Sequence, residues 1–203
     1  MTAPTLEKPH YERILNLPLL RLPPELRNAI YRHAFTCDSV LVQPDKSFRT
    51  LTWGFHSSMG FLMTCRQVYD EAYKLFFTIV TFDLGLLSNI AEPSLPIACD
   101  KSALITSIEI ESSVALSVYL QIEYTDTFLH AVYADIFLGA ESRGWKEVFE
   151  EANFLALERV QVKGTVQSHF DVITTPLDIK NSLRIAFGKN DLEITFVGYG
   201  AGS

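Results

Sequence analysis

The chain has 203 residues, of which 48% are hydrophobic and 12% aromatic, and its formal net charge at pH 7 is −7. This composition supplies a sizeable apolar core and excludes a disordered chain. The acidic balance argues against a nucleic-acid partner, because phosphate binding needs a basic surface. The length is within the reach of one hydrophobic core, so we predict a single domain over residues 1–203.

Three cysteines are spread along the chain, at Cys37, Cys65 and Cys99, and the first residues lack the apolar segment of a secretory signal. An odd number of distant cysteines favours a reducing compartment. The longest apolar stretches are interrupted well before the ~20 residues that a membrane helix needs. We therefore expect a cytoplasmic or nuclear protein without a membrane partner.

The first predicted element is a helix over residues 22–35. A proline at the first helical position and an acid in the first turn suit the start of a helix. Leu26, Ile30 and Ala34 recur at helical spacing and predict its inner side, whereas Arg27 is predicted to point to water.

Residues 38–56 contain two β-rich stretches separated by a polar turn, which predict a hairpin. From 61 to 76 apolar residues recur every three or four positions and predict the strongest helix of the chain. Cys65 lies on this apolar side, so we interpret it as a buried core thiol rather than a nucleophile. A strand over 78–84 and a loop over 91–101 complete the first half.

The second half alternates predicted strands and helices. Period-two alternation and β-rich composition predict four strands, at 108–111, 114–122, 157–162 and 192–197. Residues 126–152 are mainly helical in pattern, and a well-capped helix is predicted between Thr175 and Gly188. The fold class that follows is α+β, with an N-terminal helix and hairpin in 1–85 and a mixed sheet with helices packed on it in 101–203.

Motifs that carry chemistry are missing from the sequence. The ten glycines form no phosphate-binding loop, the five histidines have no metal-ligand spacing with the cysteines, and no serine lies in a nucleophile elbow. We therefore predict no cofactor and no metal. Carboxylates cluster at Glu147, Glu150 and Glu151, and an exposed acidic helix face explains them better than a cation or acid–base site.

Two blocks of sequence resemble the F-box-like domain that occurs in many fungal proteins. Residues 20–35 read LRLPPELRNAIYRHAF, and residues 61–84 read FLMTCRQVYDEAYKLFFTIVTFDL. The first block is similar to that family's opening leucine and proline followed by ELRN and an Ile-Tyr pair. The second block is similar to its Thr-Cys-Arg-Gln signature, followed by an alanine after a glutamate and a phenylalanine-rich strand. Two blocks in the family's order are more specific than either alone.

The resemblance implies a protein-interaction module. F-box proteins dock a short helical motif onto the Skp adaptor of a ubiquitin ligase and present a substrate through the rest of the chain. By that likeness Leu22, Pro23, Leu26 and Ile30 supply the apolar contacts to the adaptor, and Glu25 sets the start of the helix. The alternative for the same residues is that this helix docks its leucines into the chain's own core.

Two other functions stand beside the interaction module. The first is a cofactor-free enzyme of cyclase or isomerase type, or a small-molecule binder, in which an aromatic-lined pocket uses Tyr124, His130, Tyr133 and Asp135. Reactions that depend mainly on shape and orientation leave no short motif, so the sequence does not exclude them. The second is a structural protein that associates with itself through exposed apolar surface.

Overall fold

The computed structural model describes residues 18–35, 39–45, 47–50, 58–89, 95–124, 144–164 and 174–198. Within them, six strands form one sheet in the order β2-β1-β3-β4-β5-β6. The strands are β1 (Ser39–Val42), β2 (Phe48–Thr50), β3 (Thr81–Asp83), β4 (Ser107–Glu111), β5 (Arg159–Lys163) and β6 (Glu193–Val197). Only the β1–β2 pair is antiparallel; the other four pairings are parallel.

Helices connect the parallel strands. They are α1 (Pro24–Phe35), α2 (Ser58–Leu62), α3 (Arg66–Ile79), α4 (Cys99–Ser102), α5 (Ser112–Glu123), α6 (Trp145–Ala152) and α7 (Pro176–Phe187), with 3₁₀ turns at Pro18–Arg21 and Gly85–Asn89. Each parallel strand lies beside the next one in the chain. Right-handed crossovers, which are nearly universal, then place the connecting helices on one face of the sheet.

One face of the sheet is apolar. The strand registers align Val40, Phe82, Ile108, Val160 and Ile194 in a single row across five strands, and all five side chains are buried. Because successive side chains in a strand point to opposite faces, this row forms the sheet's contribution to the core. The core beneath the helices therefore extends across the five parallel strands.

The opposite face of the sheet is polar. The neighbouring row contains Leu41, Asp83, Glu109, Gln161 and Thr195. The side chains of this row become more exposed toward β6. Asp83 and Glu109 in the middle are buried, and Thr195 at the edge is exposed. The sheet is thus one-sided in its chemistry, with the helices on its apolar face.

The coarse prediction of helices with a mixed sheet is confirmed. Strand β1 pairs antiparallel with β2 on one side and parallel with β3 on the other, so β1 and β2 belong to the main sheet and not to a separate unit before it. The predicted helix between Thr175 and Gly188 is also present, with a capping box at its start and a left-handed glycine at its end.

The predicted strand at 114–122 is wrong. Residues Ser112–Glu123 form helix α5, whose positions 114 to 120 are all buried. A helix that is surrounded by core loses the polar side that reveals the helical period, so its alternating larger residues imitate a strand. Val114, Val118 and Ile122, which lie four residues apart, carried the correct signal.

The helix predicted over 61–76 is two helices, α2 and α3. Cys65 lies between them as the N-cap of α3, where its sulfur accepts a hydrogen bond from the Val68 backbone N–H at 3.5 Å. The prediction of a buried core thiol is correct in part, since Cys65 packs against the core but is only half-buried. Of the helical segment predicted over 126–152, the structure describes α6, and residues 126–143 lie outside the described ranges.

No helix in the described ranges is long and apolar enough to cross a membrane.

Candidate functional site: the outer face of helix α1

Helix α1 is held against α3 by four polar side chains, which we call the α1–α3 clamp: Arg27, Tyr31, Gln67 and Glu71. Arg27 donates from Nε to Glu71 Oε2 at 2.8 Å and from Nη2 to Glu71 Oε1 at 2.9 Å. Tyr31 Oη donates to Glu71 Oε2 at 3.0 Å, and Gln67 Nε2 donates to Glu71 Oε1 at 3.0 Å. A bidentate arginine–carboxylate pair of this kind fixes the relative orientation of the two side chains and also stabilises their contact.

The clamp also fixes the chain that leads into α1. Arg27 Nη1 donates to the backbone oxygen of Leu22 at 2.6 Å and to that of Leu20 at 3.4 Å. One guanidinium therefore joins the segment before the helix, the helix itself and α3. The start of α1 is held in place by side-chain hydrogen bonds as well as by its own first turn.

The clamp shifts the ionisation of its members. Burial raises the pKa of Glu71, but the hydrogen bonds from Arg27, Gln67 and Tyr31 together lower it below its ordinary value. Burial and the neighbouring Glu71 raise the pKa of Tyr31 to about 12. At neutral pH Glu71 is therefore a carboxylate and Tyr31 a neutral donor, which is the pairing that the hydrogen bonds require.

Aromatic rings complete the contact beside the clamp. The ring centroids of Tyr31 and Phe61 are 5.6 Å apart, and those of Phe35 and Phe76 are 5.4 Å apart with their planes nearly perpendicular. Tyr31 and Phe35 are fully buried. They, and not the smaller aliphatic residues of α1, form the side of the helix that enters the core.

The outer face of α1 is formed by Pro23, Leu26 and Ile30. Leu26 is 53% exposed and Ile30 is 41% exposed, and Pro23 is exposed at the start of the helix. Among the other predicted contact residues, Leu22 is half-buried and Glu25 is exposed in the first turn. The prediction that Leu26, Ile30 and Ala34 face the core while Arg27 faces water is wrong. All three are exposed, because the larger rings and the clamp occupy the inner side.

The clamp was not predicted, although the sequence contains a signal for it. Arg27 and Tyr31 are four residues apart, and so are Gln67 and Glu71. Each pair therefore lies on one face of its helix, and the two pairs offer complementary donors and acceptors. All four residues belong to the two blocks that carry the F-box-like resemblance.

A second polar cluster lies near the carboxyl ends of three adjacent parallel strands. Lys163 Nζ, at the end of β5, contacts Asp83 Oδ2 of β3 at 3.1 Å and forms an ion pair with Glu109 of β4. Asp83 also accepts a hydrogen bond from the Gly85 backbone N–H at 2.8 Å. Both carboxylates are nearly buried, so the lysine offsets their charge and ties the three strands together.

Glu111 borders this cluster, and burial followed by the nearby charge of Asp83 raises its pKa. The carboxyl ends of parallel strands are where open sheets usually bind ligands. Within the described ranges, however, no group of three or more histidine, cysteine, aspartate or glutamate side chains is arranged to hold a metal ion. The ion pairs of this cluster join β3, β4 and β5.

The residues of the predicted pocket are not brought together by the described structure. Tyr124 caps the end of α5, half-buried, with its ring centroid 6.1 Å from that of Tyr119. His130, Tyr133 and Asp135 lie outside the described residues. The pocket therefore stays a prediction.

The predicted acidic helix face is present on α6. Glu147, Glu150 and Glu151 are all exposed, and Glu150 pairs with Lys146 one turn earlier at 3.6 Å. The prediction of an exposed acidic face is confirmed.

Comparison of the chain with protein-family models, with curated proteins and with solved structures gives no match.

Proposed function

We propose that this chain is a non-enzymatic protein-interaction module of the F-box-like kind, whose helix α1 docks onto a Skp-type ubiquitin-ligase adaptor. The supporting observation is the two-sided character of α1. Its inner side is fixed by the clamp and by two buried rings, and its outer face presents Leu26 and Ile30 to solvent. A protein that docks onto such an adaptor through one helix needs that helix to be rigid and to present an exposed apolar side.

The physical basis is docking of an amphipathic helix into an apolar groove. Such helices use anchor residues spaced by three, four or seven positions, and Leu26 and Ile30 are four positions apart. Fully burying one leucine or isoleucine side chain contributes about 1.5–3 kcal/mol. Since roughly half of each side chain is still exposed, burying the two remaining surfaces contributes about 2 kcal/mol in total.

Rigidity adds to this contribution. A helix that forms only on binding loses conformational entropy at that moment, whereas α1 is already ordered by Arg27 and Glu71. The clamp residues therefore serve docking indirectly, by holding the outer face in its bound shape. In this proposal the clamp residues of both sequence blocks position α1, and the apolar residues of the first block contact the adaptor.

The test is titration calorimetry of the full chain with a purified Skp-type adaptor. The double variant Leu26→Asp, Ile30→Asp is expected to weaken binding by at least about thirtyfold, the equivalent of the two lost apolar contacts. The matched control is Leu177→Asp, Ile185→Asp, because these residues of α7 are 61% and 56% exposed and aliphatic as well. The control is expected to bind like the unaltered chain.

Two results would contradict the proposal. One is an unaltered chain that gives no heat of binding with the adaptor. The other is a control variant that binds as weakly as the α1 variant, since general loss of apolar surface would then explain the effect. Circular dichroism melting of each variant separates loss of contact from loss of fold.

A further inference from the structure

Strand β6 is the last strand of the sheet, and within the described residues it pairs on one side only, with β5. The backbone N–H of Glu193 donates to the backbone oxygen of Glu158 at 3.0 Å, and the backbone oxygen of Val197 accepts from the backbone N–H of Gly164 at 3.3 Å. In a strand the N–H and C=O of one residue point to the same side, and alternate residues point to opposite sides. The backbone groups of Ile194 and Phe196 therefore point away from β5, along the edge that no described strand occupies.

Among the described residues, this edge lacks the lysine, proline or bulge that usually protects an edge strand. Strand β6 reads EITFV, with Glu193 as its one charged residue, and its register with β5 is continuous over all five residues. Lys180 of α7 lies over the ring of Phe196, at 5.7 Å from its centroid, and so covers the apolar face of the strand and not its backbone edge.

We propose that β6 pairs antiparallel with β6 of a second copy of this chain, so that two sheets join into one. The outward groups of Ile194 and Phe196 fit this pairing, because a two-fold axis at Thr195 sets Ile194 of one copy opposite Phe196 of the other. The axis produces two such Ile194–Phe196 pairs. Each pair exchanges two backbone hydrogen bonds, so four hydrogen bonds join the two copies. An interface that repeats the same patch on both copies is the commonest kind of dimer contact.

The side chains support this register. Residues directly opposite each other in an antiparallel pair lie on the same face of the sheet, so the buried Ile194 meets Phe196 on the apolar face and Thr195 meets Thr195 on the polar face. Glu193 lies opposite Val197, which keeps the two glutamates of the dimer apart. The joined sheet continues the apolar and polar faces without placing like charges opposite each other.

The test is sedimentation equilibrium of the full chain, with the variants Phe196→Pro and Phe196→Ala. Both variants lose the ring, and only the proline variant also loses the outward N–H. The unaltered chain and Phe196→Ala are expected to dimerise. Phe196→Pro is expected to dissociate at least about ten times more readily, because both copies lose a backbone hydrogen bond.

Hydrogen exchange gives a second readout that needs no variant. The amides of Ile194 and Phe196 are expected to become protected as protein concentration rises, whereas the Thr195 amide, which faces β5, is expected to be protected at every concentration. A chain that stays monomeric with freely exchanging Ile194 and Phe196 amides would overturn the proposal. So would a dimer that Phe196→Pro leaves intact.

The edge of β6 and the outer face of α1 are separate surfaces, and the two proposals fail independently. The variant Leu26→Asp, Ile30→Asp is expected to dimerise normally while losing the adaptor. A dimer that this variant abolishes would instead place the second copy on α1 and overturn pairing through β6.

Discussion

Glu71 is the residue that joins the two blocks of conspicuous sequence. It accepts hydrogen bonds from Arg27 and Tyr31 of α1 and from Gln67 of its own helix. A hydrogen bond to a charged group contributes about 1.5–3 kcal/mol, which is more than a neutral one contributes. A large part of the contact between α1 and α3 therefore depends on one negative charge.

Removal of the Glu71 charge tests how much it contributes to the free energy of unfolding. The change Glu71→Gln is expected to lower the free energy of unfolding by about 1.5–3 kcal/mol at neutral pH, because Arg27 then loses its ionic partner. Urea titration measures this. The control is Asp70→Asn on the same helix, whose pair with Arg66 is exposed and 3.7 Å long, and it is expected to change stability by less than about 0.5 kcal/mol.

The same charge predicts a dependence on acid. Folding lowers the pKa of Glu71 below its ordinary value of 4.5. The stability it contributes is therefore present above pH 4.5 and is lost as the pH falls through the lowered pKa of the folded state. Urea titrations across this range are expected to show a shallower acid-side loss in Glu71→Gln than in the unaltered chain. Equal losses in both would contradict a charged clamp.

At the scale of the element, local signals identified α7 well. Its start combines Thr175, a proline and Asp178, and the two side chains exchange hydrogen bonds with each other's backbone N–H. Its end is Gly188, whose φ of 64° is a left-handed conformation that glycine adopts without strain. Each of these signals acts within four residues, which is why the sequence alone reveals them.

The cap of α7 leads to a direct expectation. Thr175→Ala removes the oxygen that accepts from the Asp178 N–H and is expected to cost about 1 kcal/mol of unfolding free energy. Thr175→Ser keeps that oxygen and is the matched control, expected to stay within about 0.5 kcal/mol of the unaltered chain. Thermal or urea unfolding measures both. Equal destabilisation by the two variants would show that the methyl group, not the cap, matters.

Elements whose character depends on distant partners were harder to predict. Helix α5 resembled a strand because residues 114–120 are buried on all sides, and the elements packed around it are α6, α7 and the sheet. The inner side of α1 was misassigned because the partner of Arg27 lies 44 positions away. The spacing of residues within one helix shows which of them share a side. It does not show which side meets the core when a polar residue on one side pairs with a residue of another helix.

At the scale of the whole molecule, the sheet organises the surfaces that the proposals use. Its apolar row runs from Val40 to Ile194, so segments far apart in the sequence contribute to one core. Helix α1 reaches this core through Phe35, whose ring packs against Phe76 of α3, and β6 ends the described sheet at the other edge. The proposed adaptor contact and the proposed contact between copies thus belong to different parts of one fold.

The proposed adaptor contact requires an outer face of α1 that is not needed for folding. The most direct measurement is the free energy of unfolding of Leu26→Asp, Ile30→Asp by urea titration. We expect it to lie within about 0.5 kcal/mol per substitution of the unaltered chain, as for exposed positions generally. A loss of several kcal/mol, of the size that follows from placing a charge in a core, would show that these side chains stabilise the chain itself and would contradict a free docking face.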